Sequence, residues 1–401
     1  MNRPFKILYL DHEGGWGGAS RSLYYLVKGL DRSRFEPVVW HRKEGPIEEA
    51  YDSVNIRAER SPDIVSILPL KNKNWKNILV TMPRFRHLPG LLLRMKRESP
   101  DLIHYNYEGL LPVAFLFKWI CKTPAVMHIR HHFPECGPAS WAARIIARSA
   151  EHLFFITENE RDKFTELGVD LEKVSHSVVY NGVDEKFRPI GKERPMGRAV
   201  VMLFLGNLSS RKGIDRLVDI AAVLQDRKIP FKMLVCGKLD RQKKCLVFRN
   251  RYYENIRSQI QSLGLTGNID FLGYVADPRE KLAEADILIR PSRRNDPWGR
   301  DVIEALSMGV PVIATGSSEC FIKDGGNGFL VADYSADAFA EKIRLLAENL
   351  HLLKKMSRCA LESAERLFHG GDTIKAVESV YTRLLTRTPR KGARRRVEAS
   401  A

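Results

Sequence analysis

The residues most suited to bind or react with a ligand stand in one stretch, where two carboxylates flank a proline and a glycine. Asp296 precedes Pro297 and Gly299, and Glu304 follows Asp296 after seven intervening residues. Pro297 suits an early helical position with Asp296 as the cap, and Gly299 permits close approach of a ligand. A carboxylate on a largely apolar helix needs a partner, and carboxylates accept hydrogen bonds from hydroxyl groups. The stretch predicts a site for a hydroxyl-rich ligand; the alternative is a capped surface helix with an exposed Glu304.

A second stretch places two cations between an apolar strand and an amphipathic helix. Gly206 ends the run Val200–Leu205, and Arg211 and Lys212 precede the next helical pattern. A helix N-terminus offers free N–H groups and a positive dipole end, so a diphosphate would gain charge and backbone donors there. Two solvated cations in a loop are the alternative.

A glycine-rich loop follows the first predicted strand, with glycines at positions 14, 15, 17 and 18 and a helix predicted over Arg21–Leu30. Glycines let the backbone approach an anion at a helix start. The spacing is not G-x-G-x-x-G, so the dinucleotide fingerprint is absent. The loop favours a ligand over a plain tight turn.

The run Val126–His132 ends a strand with three histidines and one arginine, among them His128, Arg130 and His131. These side chains could line a cleft, although any one of them is more often structural than functional. No carboxylate or cysteine joins them at metal-binding spacing.

Composition is that of a globular, basic chain. The 401 residues are 44% hydrophobic and carry a formal net charge of +17, which suits anionic partners such as nucleotide phosphates or acidic lipid headgroups. No run reaches the roughly 20 apolar residues of a membrane helix, no signal peptide is recognisable, and the six cysteines are scattered. We therefore expect a cytoplasmic protein without a structural metal or other cofactor.

Short apolar runs alternate with helical patterns, which predicts α/β architecture with parallel sheets covered on both faces. The alternation restarts after a segment rich in Pro, Gly and charge. We predict two Rossmann-like doubly wound domains facing across a cleft, with ligands beyond the carboxyl ends of the strands. The predicted boundaries are 1–184, a linker at 185–198, 199–370, a C-terminal helix at 371–386 that could pack back on the first domain, and a disordered basic tail at 387–401.

The predicted strands are Ile7–Leu10, Val38–Trp40, Leu102–His104, Ala125–Ile129, Leu153–Ile156, Val178–Tyr180, Val200–Leu205, Lys232–Cys236, Ile269–Leu272, Ile287–Ile289, Val312–Ala314 and Phe329–Val331.

The ordered motifs resemble those of retaining GT-B glycosyltransferases of family 4. Asp296 and Glu304, within a frame that runs from Pro291-Ser to Ala314, are similar to the E-x7-E signature of that family. Three further segments occur in the order expected for the family: Asn181-Gly-Val-Asp, Phe271-Leu-Gly-Tyr-Val and Asp324-Gly-Gly-Asn-Gly. The resemblance covers roughly residues 5 to 385. Several positions depart from the family pattern. Asp296 stands in place of Glu, Asn207 stands in place of Arg, Glu319 is displaced by one position, and the cleft histidine matches ambiguously.

The resemblance implies roles. Glu304 would bind ribose, Asp296 with the N–H groups near Trp298 and Gly299 would hold the transferred sugar, and Lys212 would neutralise the donor diphosphate. The implied catalytic residues are Lys212, Asp296, Arg130 and His131. The implied donor-binding residues are Gly17, Gly18, Asn207, Arg211, Tyr274, Val275, Trp298, Gly299, Arg300 and Glu304. His128 and Trp16 would lie on the acceptor side.

The implied activity is metal-independent, retaining transfer of a sugar from a UDP- or GDP-linked donor to a glycan, lipid-linked or other envelope acceptor. A nucleotide-sugar epimerase of the same fold and a catalytically weakened binding protein remain alternatives. Basic residues interleaved with apolar ones from Lys71 to Arg97 suggest contact with the anionic inner face of the cytoplasmic membrane, or else a covering helix. No nucleic-acid module is recognisable, and the oligomeric state stays open.

Overall fold

The computed structural model describes residues 3–67, 82–130, 137–190, 198–238, 246–369 and 371–387. The chain forms two units. Unit 1 runs from the N-terminus to Gly182 and resumes at Gly371, and unit 2 comprises Val183–Gly370. His131, the tail from residue 388 and most of the segment from Lys71 to Met82 lie outside the described residues.

Unit 1 is built on a parallel sheet of seven strands in the order β3-β2-β1-β4-β5-β6-β7. Leu10 pairs with both Trp40 of β2 and Tyr105 of β4, so β1 lies in the middle, where the strand order reverses. The strands are β1 Phe5–Asp11, β2 Phe35–His41, β3 Arg57–Arg60, β4 Leu102–Tyr105, β5 Ala125–Ile129, β6 His152–Phe155 and β7 His176–Val178.

Helices cover both faces of this sheet, because successive strand residues point to opposite sides. Leu8 and Leu10 join the core with α3, α4 and α5, and Ile7 and Tyr9 join the core with α1 and α2. The helices are α1 Gly18–Lys28, α2 Ile47–Asp52, α3 Leu88–Glu98, α4 Leu111–Cys121, α5 Gly137–Ser149 and α6 Glu158–Glu166.

Unit 2 repeats this architecture with a parallel sheet of six strands in the order β10-β9-β8-β11-β12-β13. The two sheets confirm the predicted α/β class. The strands are β8 Val200–Leu205, β9 Phe231–Cys236, β10 Ile269–Gly273, β11 Ile287–Arg290, β12 Val312–Thr315 and β13 Gly328–Val331.

Helix α7 shows how a helix of unit 2 buries one apolar stripe. Leu217, Val218, Ala221 and Leu224 of α7 are buried, as their helical spacing predicts. The helices are α7 Ile214–Asp226, α8 Leu246–Ser262, α9 Arg279–Glu284, α10 Arg300–Ser307, α11 Ala336–Glu348 and α12 Leu350–Ala364.

The last helix, α13 (Asp372–Arg387), returns to unit 1. Its Tyr381 is fully buried against Phe35 and Tyr9 in the core beneath α1. The Glu378 carboxylate accepts a 2.7 Å hydrogen bond from the Asp31 backbone N–H, which anchors the helix to the α1–β2 connection. In the described part of the chain, no helix combines the length and apolar character needed to cross a membrane.

Candidate active site

The strand order of unit 2 reverses between β8 and β11, so the loops after these two strands leave the sheet side by side at its carboxyl edge. Such a switch point is where doubly wound sheets bind ligands. The β8 loop carries Asn207, Arg211 and Lys212, and the β11 loop leads through Asp296 to α10. The fold therefore brings together the two sequence stretches predicted to bind a ligand, the one with Arg211 and Lys212 and the one with Asp296 and Glu304.

Direct backbone contact joins the two loops. The Arg293 N–H donates a 3.0 Å hydrogen bond to the Arg211 carbonyl. Gly213 has φ +80°, and a Cβ there would lie 2.0 Å from the Pro291 carbonyl oxygen. Only glycine fits this turn, which places a short 3₁₀ turn, Ser210–Lys212, against the β11 loop.

Lys212 is the site's unsatisfied cation. The Lys212 ammonium forms no hydrogen bond or ion pair with the described residues. Burial and the neighbouring Arg290 lower the Lys212 pKa to about 8, although Asp301 and Asp296 act in the opposite direction. A partly buried ammonium that forms no direct ion pair can bind an anionic ligand.

Arg290, the last residue of β11, organises the loop that follows it. Its guanidinium donates hydrogen bonds to the Asp296 carbonyl at 3.0 Å and the Trp298 carbonyl at 2.9 Å, and forms an ion pair with Asp301. Burial opposes its charge, but Asp301 and Asp296 raise the Arg290 pKa overall. Sequence reasoning missed Arg290, whose only signal was a cation at the end of an apolar strand.

The helix after this loop starts later than the sequence suggested. We expected Pro297 in the first turn and Asp296 as the cap, but α10 starts at Arg300 and its N-cap position is Gly299. This expectation was wrong because Arg290 holds the carbonyls of Asp296 and Trp298 in the loop. A Cβ on Gly299 would lie 2.5 Å from the Asp301 carboxylate, so this position also needs glycine.

Glu304 is buried on α10, and Arg300 provides the partner that burial requires. The Arg300 Nε donates a 3.2 Å hydrogen bond to Glu304 one turn along the helix. Both side chains are less than a tenth exposed. A ligand hydroxyl that binds Glu304 would meet a carboxylate already oriented by a fixed cation.

Three buried polar atoms at this edge have no hydrogen-bond partner among the residues that the structure describes. They are Ser209 Oγ in the β8 loop, Asp296 Oδ1 in the β11 loop and Thr315 Oγ1 at the end of β12. Arg290 Nη2 lies 3.5 Å from Asp296 Oδ1 as an ion pair. Buried polar groups are normally hydrogen-bonded, so a ligand at this edge would satisfy them.

The remaining predicted donor residues lie at the same sheet edge with greater exposure. Asn207 and Arg211 are exposed in the β8 loop. Tyr274 and Val275 follow β10, and the Lys238 ammonium lies 3.8 Å from the centre of the half-exposed Tyr274 ring. Tyr274 thus presents an aromatic face suited to stacking.

In unit 1 the glycine loop lies at the corresponding switch point, between β1 and β4. A Cβ on Gly14 would lie 1.5 Å from the Lys43 carbonyl oxygen, so Gly14 serves packing. Gly17 and Gly18 are exposed at the start of α1, three residues earlier than predicted, and a Cβ on Gly17 would meet nothing. Trp16 is partly buried with its ring centre 5.4 Å from that of Tyr24.

Arg130 is buried in unit 1, where it links Asn106, after β4, to Asn181, after β7. Its guanidinium donates to the Asn106 side chain at 2.8 Å and to the Asn181 side chain at 2.8 Å. Asn106 in turn donates to Asp11 at 3.3 Å. Burial alone would raise the Asp11 pKa, but contact with His12 brings it to about 2. The catalytic roles predicted for Arg130 and for His131, which lies outside the described residues, stay predictions.

His128 lies inside unit 1, on the face of β5 that α13 covers. Its Nδ1 is 2.6 Å from the Nε2 of His104, which also contacts the Tyr381 hydroxyl. Burial and Arg130 lower the pKa of both histidines well below the usual value, so both are neutral. The structure does not place His128 in the loop with Trp16, and its acceptor-side role stays a prediction. In the described ranges no cluster of His, Cys, Asp and Glu has the geometry of a metal site.

Two parallel-sheet α/β units, with a cation and two carboxylates converging on a switch point of the second, define a GT-B-type transferase fold. Two family models agree: Glycosyltransferase Family 4 matches residues 16–187, and Glycosyl transferases group 1 matches residues 188–362. Together they span most of the chain, which belongs to the group 1 glycosyltransferases of family 4.

Curated relatives carry glycosyltransferase names. The chain is 29% identical over 311 residues to a D-inositol 3-phosphate glycosyltransferase of Streptomyces avermitilis, a match that covers 70% of this chain and 65% of the relative. It therefore spans just under two thirds of that protein. It is 25% identical over 390 residues to the lipopolysaccharide core biosynthesis glycosyltransferase LpsE of Rhizobium meliloti, covering 94% of this chain and 98% of LpsE.

Solved structures share the fold. Alr3699/HepE of Anabaena in complex with UDP superposes with a TM-score of 0.76 at 21% identity, covering 94% of this chain and all of that one. Sucrose-phosphate synthase of Thermosynechococcus elongatus gives a TM-score of 0.76 at 18% identity, covering 96% of this chain and 100% of that one.

Proposed function

We propose that this protein transfers a sugar from a nucleoside-diphosphate donor, with the donor bound at the carboxyl edge of the unit 2 sheet. The observation that carries this proposal is Lys212, a partly buried ammonium at the switch point that forms no hydrogen bond or ion pair with the described residues. A donor diphosphate would supply the missing negative charge.

Ser209 Oγ, Thr315 Oγ1 and the carboxylates of Asp296 and Glu304 support a polyhydroxylated ligand at the same edge. Asp296 Oδ1 is suited to a hydroxyl of the transferred sugar, and Glu304 to a ribose hydroxyl. Tyr274 is suited to lie along the base, which we propose to be uracil or guanine.

Catalysis would come from stabilising the leaving diphosphate. Fixed cations and oriented N–H groups stabilise a developing negative charge without reorganising during the reaction. Lys212 and the turn that carries it can perform this role, and we propose a metal-independent reaction that retains anomeric configuration. Asp296 replaces the longer Glu of the family pattern, so we expect this position to influence which sugar is accepted.

For the acceptor we propose a glycan or lipid-linked molecule of the cell envelope. LpsE, the relative matched over nearly its whole length, is named for lipopolysaccharide core biosynthesis. We place the reaction in the cytoplasm, at the inner face of the membrane.

Calorimetric titration with UDP, GDP and ADP tests the donor site. We expect one nucleotide to bind wild type clearly, and Glu304→Gln to weaken that binding by roughly tenfold to a hundredfold, because a charge-assisted hydrogen bond to ribose is lost. Glu362→Gln on the exposed face of α12 is the matched control and should bind as wild type does. Equal affinity in the Glu304 variant would refute the ribose assignment.

Product analysis tests the reaction itself. Incubation of wild type with the sugar form of the bound nucleotide and envelope glycan extracts should give free nucleoside diphosphate and a glycan one sugar longer. An epimerised nucleotide sugar, formed without any acceptor, would overturn transfer in favour of an epimerase.

A further inference from the structure

Helix α4 of unit 1 is apolar on its outer side as well as its inner side. Its eleven residues, Leu111–Cys121, contain one charged side chain, that of Lys118. Leu111, Val113, Ala114 and Phe117 are buried in the core. A surface helix of a globular protein normally carries polar residues on its outer side, so the outer face of α4 requires an explanation.

That outer face is strongly exposed and aromatic. Trp119 is 75% exposed and Ile120 55% exposed. Phe115 and Leu116 lie beside them, each more than a third exposed. Exposing side chains of this size to water is unfavourable, so a contiguous group of them marks a contact surface.

The neighbouring helices extend the same surface. Helices α3 and α5 flank α4, and all three pack on the same face of the sheet through one shared core. Helix α3 adds Leu93, which is 49% exposed, and α5 adds Trp141, which is 66% exposed. We define the aromatic face by these outward side chains: Leu93, Phe115, Leu116, Trp119, Ile120 and Trp141.

Most charged residues of α3, α4 and α5 are basic, although Lys118 pairs with Glu151 at 3.0 Å and Arg94 pairs with Asp63 at 3.0 Å. Along α3, α4 and α5 the only acidic residue is Glu98, whose carboxylate pairs with Lys6 at 3.0 Å and with Arg57 at 2.9 Å. The basic residues of the three helices are Arg94, Lys96, Arg97, Lys118, Arg144 and Arg148.

More cations flank these helices. Lys122 ends α4, and the 3₁₀ turn Met82–His87 before α3 adds Arg84 and Arg86, both exposed. This turn and α3 form the described end of the basic segment predicted from Lys71 to Arg97.

We propose that the aromatic face binds an anionic lipid bilayer, with α4 lying in the plane of the interface. Tryptophan favours the headgroup region, where its ring is half in hydrocarbon, and Lys and Arg beside it attract acidic headgroups. Helix α4 would extend only about 16 Å, half of the ~30 Å hydrocarbon core, so it rests on the bilayer.

The charge pattern also disfavours a second copy of this chain as the occupant. A two-fold contact between copies would place the same patch against itself, and two cationic rims would then face each other. Acidic lipids instead complement the rim. The proposal rests on the proposed location at the inner face of the membrane, but it can fail separately from sugar transfer, because none of its residues belongs to the donor site.

Vesicle co-sedimentation tests the proposal. Wild type is mixed with vesicles of phosphatidylcholine alone, or of phosphatidylcholine and phosphatidylglycerol in equal parts. We expect binding to the anionic vesicles, weakened roughly tenfold or more by the double substitution Trp119→Ala and Trp141→Ala. Substitution of two exposed apolar residues of unit 2, Ile190→Ala with Leu263→Ala, is the matched control and should bind as wild type does.

A second pair of substitutions separates charge from insertion. Lys122→Gln with Arg148→Gln should reduce the preference for anionic vesicles and make the remaining binding less sensitive to salt. Nucleoside diphosphate binding, measured on each variant, shows that the fold is intact and keeps this result separate from the donor site.

Three results would overturn the proposal. Wild type could bind neither vesicle, or could bind both equally, or the double tryptophan variant could bind as strongly as wild type. A wild-type dimer in sedimentation equilibrium, dissociated by the tryptophan substitutions without any lipid effect, would assign the aromatic face to a second copy instead.

Discussion

Lys212→Met should make the free protein more stable while it damages the donor site. The pKa of Lys212 falls from its ordinary 10.5 to about 8, because burial and Arg290 disfavour the ammonium. Each pKa unit corresponds to about 1.4 kcal/mol, so keeping Lys212 charged costs up to about 3 kcal/mol near pH 7. Methionine has a similar shape without the charge. We therefore expect the free energy of unfolding to rise by about 1 to 3 kcal/mol.

The size of this stability difference depends on pH. Below pH 8 the lysine is charged in both folded and unfolded chains, so the full cost is present. From pH 8 to about 10.5 only the unfolded chain keeps the proton, and the cost disappears as pH rises. The stability advantage of Lys212→Met should therefore be largest near neutral pH and fade at high pH. Urea unfolding of both proteins at a series of pH values measures this difference.

The same substitution, which should stabilise the free protein, should weaken nucleotide binding. A bound diphosphate would hold Lys212 protonated, so wild-type affinity should fall above pH 8, by up to about tenfold per pH unit. Lys212→Met should bind the nucleotide roughly tenfold to a hundredfold more weakly at pH 7 and lose this pH dependence. Calorimetry at several pH values provides the test.

Lys354→Met, on the exposed side of α12, is the matched control and should change neither quantity. Destabilisation by Lys212→Met at pH 7, or unchanged nucleotide affinity, would refute the reasoning that assigns this lysine to the diphosphate.

Two further substitutions test how the structure holds its sites. Gly213→Ala should destabilise unit 2 by about 2 to 4 kcal/mol, because its Cβ would lie 2.0 Å from the Pro291 carbonyl at φ +80°; chemical denaturation measures this, and Gly267→Ala, which meets nothing, should be nearly neutral. Tyr381→Phe should cost about 1 to 3 kcal/mol, since it leaves a buried nitrogen of His104 without its hydroxyl partner; an unfolding midpoint equal to wild type would contradict that hydrogen bond.

The sheets were predictable because buried parallel strands are continuous apolar runs. Ala125–Ile129 and Val200–Leu205 agree with the structure to the residue. The edge strand Arg57–Arg60 was missed because three of its four residues are charged. The strand predicted at Val178–Tyr180 instead occupies His176–Val178, where backbone pairing with β6 determines its position.

The candidate site was predictable in its residue types but only partly in its geometry. The spacing of Asp296 and Glu304 indicated a helix that carries the second carboxylate, and α10 does so. The start of that helix was predicted too early, because Arg290 draws the preceding carbonyls into the loop. Local sequence favours Pro297 in a first turn, and only the folded contact reveals that it lies outside.

His128 illustrates a similar limit. The pattern showed a histidine on a strand, but which side of the sheet it faces depends on the alternation and on what covers that side. The cover is α13, more than 240 residues further along the chain.

The discontinuity of unit 1 has a consequence for how the protein is made. During translation, the whole of unit 2 is synthesised before the segment of unit 1 that begins at Gly371. Until that segment emerges, Tyr9 and His104 lack their helical cover, so the first unit to be synthesised is the last to be completed. Nascent unit 1 therefore exposes the part of the sheet that α13 will cover throughout the synthesis of unit 2. An excised unit 1 would need Asp372–Arg387 fused back to it.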